Sequence, residues 1–393
     1  MKIAVSTARI IVGLLFIFSG LVKAIDPLGL SYKMQEFFDL WGLSKFNSWT
    51  LLMSVLMNAF EIIAGFALLL GWRIKLFSWL LLLLIIFFTF LTGYAYLSGK
   101  FKSCGCFGDC IPITPKTSFT KDLILLALIG FLFWKQKLIR PIFSEKITTI
   151  AMLGFTAFSF GLQWYCLGYG SVIDCLPYKK GNNISEKMKL PANAVPDSTV
   201  ITFVYDKKGT QVEFTADKFP ADFNSTDYKL IKRYDKIIRQ GKNNQPPIAG
   251  FYLSGTTNED STQVILQQSY AVLLFCEDFS VPVSKWQKKF AGIYAEAKAK
   301  NIPVYLVTTQ PNEAGTKIAG TSFSGIQVLK CDNTAIRTAA RTNPCLYVLN
   351  KGTILGKWSR HDFGAAAKLI NETAAQPIIE MPAPVVDSVS SMQ

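Results

Sequence analysis

The sequence of 393 residues contains a single histidine, His361, and few charged residues. Asp, Glu, Lys and Arg make up 17% of the chain, against about 25% in an average soluble protein. One histidine is too few for a multi-histidine metal site and leaves little material for a Ser-His-Asp triad. Because half of the residues are hydrophobic and 13% are aromatic, the composition excludes a disordered chain and argues against an ordinary soluble enzyme.

The net charge of +14 is not concentrated in one part of the chain. Residues 1–175 and residues 176–393 each carry a net charge of +7. The basic residues are spread out, and many of them flank apolar runs. This distribution is typical of a membrane protein and not of a nucleic-acid-binding protein, so we expect no nucleic acid among the partners.

Five long segments of the first 175 residues have few or no charges: 3–22, 46–72, 76–99, 118–134 and 147–173. About 20 apolar residues are enough to cross a bilayer. Residues 1–175 are therefore predicted to form an α-helical membrane bundle of five transmembrane helices. No A-x-A-like cleavage site follows the first segment, which argues against a cleaved signal peptide.

The loop charges predict the orientation of the bundle. The N-terminus and the loops 72–75 and 135–146 are rich in Lys and Arg, and all three lie on one side in a five-span chain. The positive-inside rule places that side in the cytoplasm. Loops 24–48 and 100–117 and all residues after 174 then face outward. All eight cysteines lie on or near that outer side, where disulfides persist.

Glu61 is the one charged residue of the second segment. A charged carboxylate near mid-bilayer costs about 2.5–3.5 kcal/mol on insertion scales, so a partner is expected. Arg9, near the inner end of the first segment, is the nearest candidate by depth. Either the two residues form a helix-packing ion pair, or Glu61 is protonated, or the residues are part of a quinone or proton site. The amphipathic segment 27–43 is predicted to lie on the outer leaflet or to cover the bundle as a lid.

The loop between the third and fourth segments has the sequence SCGCFGDC at residues 103–110. Its cysteine spacing suits thiol exchange, a structural disulfide or soft-metal binding. A zinc site would need further ligands and no histidine is nearby, so no metal ligand is assigned. Cys166 and Cys175 are interpreted as a staple or as two inert thiols. The candidate redox thiols are Cys104, Cys106 and Cys110.

The CGCFG motif between two membrane segments resembles the MauE family of DoxX-like membrane proteins. The resemblance covers roughly residues 5–140 and implies a redox-associated role in the maturation of periplasmic client proteins, such as methylamine dehydrogenase with its many disulfides. Through the DoxX relatives it also implies a quinone as a candidate cofactor, with Arg9 and Glu61 as candidate binding residues. Outside the loop the resemblance depends on Arg9, Gly13, Ser19, Gly20, Lys23, Glu61 and Gly65.

The chain after residue 175 is predicted to form three parts. Residues 176–262 are mixed and polar, with strand-like runs at 199–205 and 210–214, and are interpreted as an extracytoplasmic linker or β-rich extension. From 263 to 370 the pattern is strand, helix, strand, short strand, helix and hairpin, which resembles a thioredoxin-like α/β domain. Residues 371–393 are expected to be a disordered tail.

The thioredoxin-like resemblance implies a cis-proline at Pro344, just before the hairpin. The C-x-x-C motif of that family is absent, and only Cys276 stands at its place, in FCEDFSVP. We expect Cys276 and Cys345 to lie on neighbouring strands with their Cα atoms within about 7 Å, as a candidate disulfide or exchange pair. Cys331 is the competing partner, and Cys345 as a small buried apolar residue is the alternative.

Three functions remain open from the sequence. The first is a thiol–disulfide or quinone-linked oxidoreductase that acts on periplasmic thiol partners, and the missing C-x-x-C leaves open whether the chain is an enzyme. The second is a membrane-anchored scaffold or assembly factor whose thioredoxin-like domain only binds clients. The third is metal handling through the CGCFGDC loop.

Overall fold

The computed structural model describes residues 1–101, 104–239, 241, 243–255 and 259–375. Six helices, α1 to α6, come first in the chain, and two β-sheets with further helices follow them. Ser103 of the predicted cysteine loop and residues 376–393 of the predicted tail lie outside the described residues.

In the described part of the chain, five helices are long and apolar enough to cross a membrane, as the sequence predicted: α1, α3, α4, α5 and α6. Each exposes large apolar side chains on its outer surface, for example Leu83, Phe90 and Trp164, as lipid-facing helices do. The helices are α1 (Lys2–Ala24), α2 (Pro27–Leu40), α3 (Thr50–Leu70), α4 (Ile74–Ser98), α5 (Pro115–Trp134) and α6 (Glu145–Tyr169).

The bundle is closely packed where small residues face each other. A Cβ atom on Gly65 would lie 2.8 Å from the carbonyl oxygen of Gly13, and one on Gly20 would lie 2.7 Å from a side-chain carbon of Ile62. Small residues let transmembrane helices approach closely. These glycines therefore set the separation of α1 and α3.

Arg9 lies near the end of the bundle at which α3 finishes. Its guanidinium donates to the carbonyl oxygens of Leu68 (2.7 Å) and Leu69 (2.5 Å). The last carbonyls of a helix have no partner within the helix, and Arg9 supplies one. The predicted Arg9–Glu61 ion pair is therefore wrong, and Glu61 pairs with Lys23 instead.

The segment after the bundle contains a short helix, α7 (Ile184–Lys187), a three-stranded antiparallel sheet and a second short helix, α8 (Thr262–Gln267). The strand order of this sheet is β2-β1-β3. The predicted hairpin around residues 206–209 is present, because Lys207 of β1 pairs with Thr210 of β2. The strands are β1 (Ser198–Lys207), β2 (Thr210–Thr215) and β3 (Tyr228–Arg239).

The remainder is an α/β domain built on a five-stranded sheet of order β6-β5-β4-β7-β8. Strands β4, β5 and β6 are parallel, and β7 and β8 are antiparallel to their neighbours. The elements are β4 (Ala271–Cys276), α9 (Gln287–Ala299), β5 (Val304–Thr308), α10 (Pro311–Ile318), β6 (Gln327–Lys330), α11 (Asn333–Ala339), β7 (Cys345–Asn350), β8 (Thr353–Ser359) and α12 (Phe363–Glu372).

Part of the predicted linker belongs to the core of this domain. Tyr178, Ile184 and Phe251 are buried in one cluster with Phe275 and Tyr347 of the sheet. These residues cover the face of the sheet opposite the one on which α9 and α12 pack.

The cis-proline prediction is confirmed, because the Asn343–Pro344 peptide bond is cis. Cys276 and Cys345 lie on neighbouring strands as expected, but both thiols are free and buried, so the candidate disulfide is not formed and the alternative of a buried apolar residue fits Cys345. Cys345 lies directly opposite Phe275 in the register of β4 and β7. Since successive side chains of a strand point to opposite faces, Cys276 is buried in the other hydrophobic cluster from Cys345.

Candidate functional site

The docking end of the bundle is the end that carries α2, the loop 99–114 and the α/β domain. A partly open cavity of about 100 Å³ lies there among α1, α3, α4 and α5. Helix α2 contributes Leu30, Met34 and Phe37 to its lining, so α2 is the lid that the sequence offered as one of two arrangements. The wall is mainly apolar and includes Phe16, Met34, Phe37, Trp41, Phe88 and Leu91.

Two ion pairs lie in the otherwise apolar lining of the cavity. Lys23 pairs with Glu61, and each of the two side chains is 2% exposed. Lys121 pairs with Asp122 at 2.5 Å, and the hydroxyl of Thr92 donates to the same carboxylate at 2.9 Å. Buried ion pairs are often no more stabilising than apolar residues of similar size. Stability alone therefore does not explain these pairs, and charged residues inside a membrane usually indicate a functional site.

One of the two carboxylate oxygens of Glu61 accepts no hydrogen bond among the described residues. Its Oε1 atom binds the Lys23 ammonium, whereas Oε2 is buried and has no hydrogen-bond partner among the described residues. A buried oxygen without a partner is costly. Because Glu61 lines the cavity, a ligand with a hydroxyl group would satisfy this oxygen.

Cys104 and Cys106 lie at the same cavity and are free thiols. The loop between them turns at Gly105, whose φ of +68° favours glycine. The amide of Gly108 closes the turn by donating to the Gly105 carbonyl at 3.0 Å. The hydroxyl of Ser19 donates to the Cys106 carbonyl at 3.1 Å, which fixes the loop against α1.

Burial controls the acidity of both thiols. It raises the pKa of Cys104 to about 11, and the neighbouring Cys106 adds to that shift. Burial also raises the pKa of Cys106, although the Lys121 ammonium opposes it. Both residues are therefore protonated thiols at neutral pH in this state, and their oxidation must release protons.

Cys110, the third candidate cysteine of the loop, is not a free thiol. It forms a disulfide with Cys175, with Cα atoms 4.9 Å apart. The bond ties the loop to the chain just after α6. Cys166, which the sequence grouped with Cys175, is buried and free. The sequence held one signal for this pairing, since the predicted topology puts residues 110 and 175 on the same side.

The α/β domain rests on the docking end through two arginines that sequence reasoning missed. Arg341 donates to Asp26 at 2.9 Å and to Asp109 at 2.5 Å. Arg337 donates to Glu277 at 2.6 Å within the α/β domain and to Gln35 of α2 at 2.9 Å.

Both guanidinium groups lie over the ring of Tyr32 in α2, 4.7 and 5.3 Å from its centre. Glu277 follows β4 directly, and Arg341 lies three residues before Pro344. The end of β4 and the segment before Pro344 therefore face the bundle.

The comparisons with known proteins concern separate parts of the chain. The family described as methylamine utilisation protein MauE matches residues 1–135. These are less than half of the chain, but they include α1 to α5 and the loop with Cys104 and Cys106. A domain of unknown function matches residues 199–240, the three-stranded sheet.

No curated protein matches this chain. The Xanthomonas campestris bacterioferritin comigratory protein, studied for alkyl peroxide reduction activity, is similar at 12% identity and a TM-score of 0.24. The match covers 31% of this chain and 90% of that one. A TM-score this low transfers neither fold nor activity.

Proposed function

We propose that this chain is a membrane thiol oxidoreductase in which the Cys104–Cys106 dithiol passes two electrons to an apolar acceptor of the quinone class. One observation carries the proposal: both thiols line an apolar cavity that also contains two ion pairs. Apolar walls with a few convergent polar groups are the usual form of a small-molecule site.

The reaction balances with these groups alone. Cys104 and Cys106 lose two protons and two electrons as they form a disulfide, and the acceptor takes up both to become a quinol. One residue separates the two cysteines, and it is Gly105 in a left-handed conformation, which helps the sulfurs to approach. The lipid-soluble acceptor would enter and leave through the membrane.

The charged residues would serve proton transfer and charge stabilisation. The ammonium groups of Lys23 and Lys121 face the cavity and would stabilise negative charge that develops on an acceptor oxygen. The free Oε2 of Glu61 would accept a hydrogen bond from the quinol hydroxyl. Glu61 stays a candidate binding residue. Arg9 binds the last carbonyls of α3, away from the cavity, and is no longer a candidate.

The family match and the loop charges support a location. The description of the matching family names methylamine utilisation, and the basic loops 72–75 and 135–146 lie opposite the docking end. We place the docking end in the periplasm of a bacterial inner membrane, with the N-terminus in the cytoplasm. The partners would then be periplasmic proteins whose cysteines become oxidised.

A scaffold role is the second candidate, and the α/β domain favours it for that part of the chain. Burial raises the pKa of both Cys276 and Cys345, and the sheet separates them. Neither suits thiol exchange. The domain would then hold the loop in place without redox chemistry of its own.

Metal handling is less well supported. The disulfide at Cys110 leaves the loop with two free thiols. Across the described residues, no group of three or more His, Cys, Asp and Glu side chains could hold a metal ion. A soft metal would need further ligands than these two thiols.

Acid trapping in cells tests the proposal against the scaffold candidate. Cells are quenched in acid at different growth stages, and free thiols at Cys104 and Cys106 are alkylated and counted by mass. A mixed, growth-dependent population of dithiol and disulfide supports the proposal. A population that stays fully reduced or fully oxidised in all conditions contradicts it. Cys166 is the internal control, because it is buried and free.

A further inference from the structure

Of the eight cysteines, all of which lie in described parts of the chain, Cys175 has the most open setting: its side chain is exposed, whereas the others are buried or half-buried. Its disulfide partner, Cys110, is half-buried and stands four residues after Cys106. One end of this bond thus belongs to an exposed residue, and the other belongs to the loop of the cavity thiols.

We infer that the Cys110–Cys175 disulfide is a second redox centre, which takes electrons from the dithiol of a client protein and passes them to the Cys104–Cys106 pair. The inference rests on the proposed function and adds the site where the thiol substrate reacts. The substrate class is a reduced protein or peptide with two cysteines.

The exchange proceeds in balanced steps. A client thiolate attacks the exposed sulfur of Cys175, which forms a mixed disulfide and releases Cys110 as a thiolate. The second client thiol then attacks the client sulfur of that mixed disulfide, so that the client leaves as a disulfide and Cys175 is released. Cys110 and Cys175 are now reduced by two electrons and two protons.

The second half of the cycle runs inside the loop. Oxidation by the acceptor has first converted Cys104 and Cys106 to a disulfide. The Cys110 thiolate attacks that disulfide and forms a mixed disulfide with one of the two cavity cysteines. The Cys175 thiolate then attacks the Cys110 sulfur and releases the cavity cysteine. The Cys110–Cys175 disulfide is restored, and Cys104 and Cys106 become the dithiol again. The state in the structure, with one disulfide and two free thiols, is one state of this cycle.

The surroundings of Cys175 fit an approaching peptide. The side chains of Val172 and Ile173 are 60% and 63% exposed, close before Cys175 in the chain. They lie in a segment without helix or strand that follows Gly170. Two exposed apolar side chains beside an exposed sulfur would give a client segment an apolar contact at the point of attack.

The loop is anchored by contacts other than the disulfide. Arg341 binds Asp109, the residue before Cys110, and Ser19 holds the Cys106 carbonyl. Opening the disulfide therefore releases the Cys110 sulfur while the loop stays in place over the cavity, and the ion pair of Asp174 with Lys357 still holds the residue before Cys175. This is the arrangement that an internal transfer requires.

The test uses the full chain in lipid nanodiscs, a synthetic peptide with a reduced C-x-x-C pair, and decylubiquinone. During turnover, samples are quenched in acid, and the cysteines are labelled before and after reduction with reagents of different mass. We expect a fraction of Cys110 and Cys175 to be open thiols, which rises with peptide concentration and vanishes without peptide. A bond that stays closed throughout steady turnover overturns the inference.

A double variant, C110S/C175S, separates this inference from the proposed function. We expect it to form one quinol per protein in a single turnover, and to lose peptide-driven turnover at least tenfold. Peptide-driven turnover at the wild-type rate overturns the inference. Absence of quinol from the wild-type chain contradicts the proposed function instead. If the double variant loses both reactions because it misfolds, the labelling of the wild-type chain decides. Cys166→Ser is the matched control, with both reactions retained.

Discussion

Arg341 joins the two halves of the chain through Asp109, since its guanidinium binds this carboxylate of the cysteine loop at 2.5 Å. It also binds Asp26, in the turn between α1 and α2, at 2.9 Å. Arg341 is 7% exposed and Asp26 is 10% exposed. One buried side chain of the α/β domain therefore fixes both the loop and the start of the lid.

Replacement of Arg341 should destabilise the protein strongly. Arg341→Ala leaves Asp26 buried without its cation, which typically costs about 3–5 kcal/mol. We expect a large fall in the melting temperature in detergent, and a smaller fall for Arg341→Lys, which keeps the charge but loses the two-pronged contact. Lys208→Ala is the control, because its pair with Asp227 is exposed. Equal melting temperatures for Arg341→Ala and the control would show that the two halves do not dock in this way.

Replacement of Cys106 should abolish the redox function. Cys106→Ser removes one sulfur of the cavity dithiol, so no disulfide can form there. We expect quinone reduction to fall to background, while Cys166→Ser keeps the wild-type rate. The measurement is the absorbance change of decylubiquinone with the chain in nanodiscs. Equal tolerance of both substitutions would favour the scaffold candidate.

The Lys23–Glu61 pair should contribute separately to folding and to activity. Glu61→Gln leaves the Lys23 ammonium buried without its partner and should lower the melting temperature, since such a loss costs about 3–5 kcal/mol. The double variant K23M/E61Q buries no charge, so it should regain most of the stability and none of the quinone reduction. A double variant as active as the wild type would reduce the pair to a structural role.

The reduced thiols should react slowly with alkylating reagents. Since burial raises the pKa of Cys104 to about 11, its thiolate is scarce at pH 8 and increases as the pH rises towards that value. We expect iodoacetamide to react at pH 8 at least tenfold more slowly than with a free cysteine, whose pKa is about 8.5. A rate that is already independent of pH at pH 8 would contradict the buried setting.

The close contact of α1 and α3 gives a prediction on packing. Gly65→Ala would place a carbon 2.8 Å from the Gly13 carbonyl oxygen, and such overpacking costs about 1–3 kcal/mol. We expect a lower melting temperature for this variant. Gly161→Ala on α6 is the matched control, because no heavy atom lies within 4 Å of the added carbon. If both variants have the same melting temperature, α1 and α3 are not packed as described.

The sequence predicted the features that depend on local pattern. Charge-free runs of 20 residues identify transmembrane helices, since hydrophobic length alone decides them. The succession of elements in the α/β domain followed from the local pattern, apart from α10 and α12, and the cis bond at Pro344 followed from the resemblance. Strand β3, by contrast, was missed. Its apolar residues Leu230, Ile231, Tyr234, Ile237 and Ile238 have a helical spacing, and pairing with β1 overrides that local preference.

The candidate site was predicted only in part, because its contacts depend on the relative depth and rotation of helices. The cavity thiols Cys104 and Cys106 were identified from the CGCFG motif. The partner of Glu61 was not, since the long side chain of Lys23 reaches it from the end of α1. The arginine contacts with Asp26, Asp109 and Gln35 join residues more than 200 positions apart, and no local pattern indicates them.

The central claim is that Cys104 and Cys106 reduce an acceptor bound in the adjoining cavity. The most direct measurement is the amount of quinol formed when the chain, with these two thiols reduced and no thiol peptide or reductant added, is mixed with decylubiquinone in nanodiscs. The account predicts one quinol per protein, with loss of both free thiols after acid quenching. No quinol, with Cys104 and Cys106 still reduced, would contradict it.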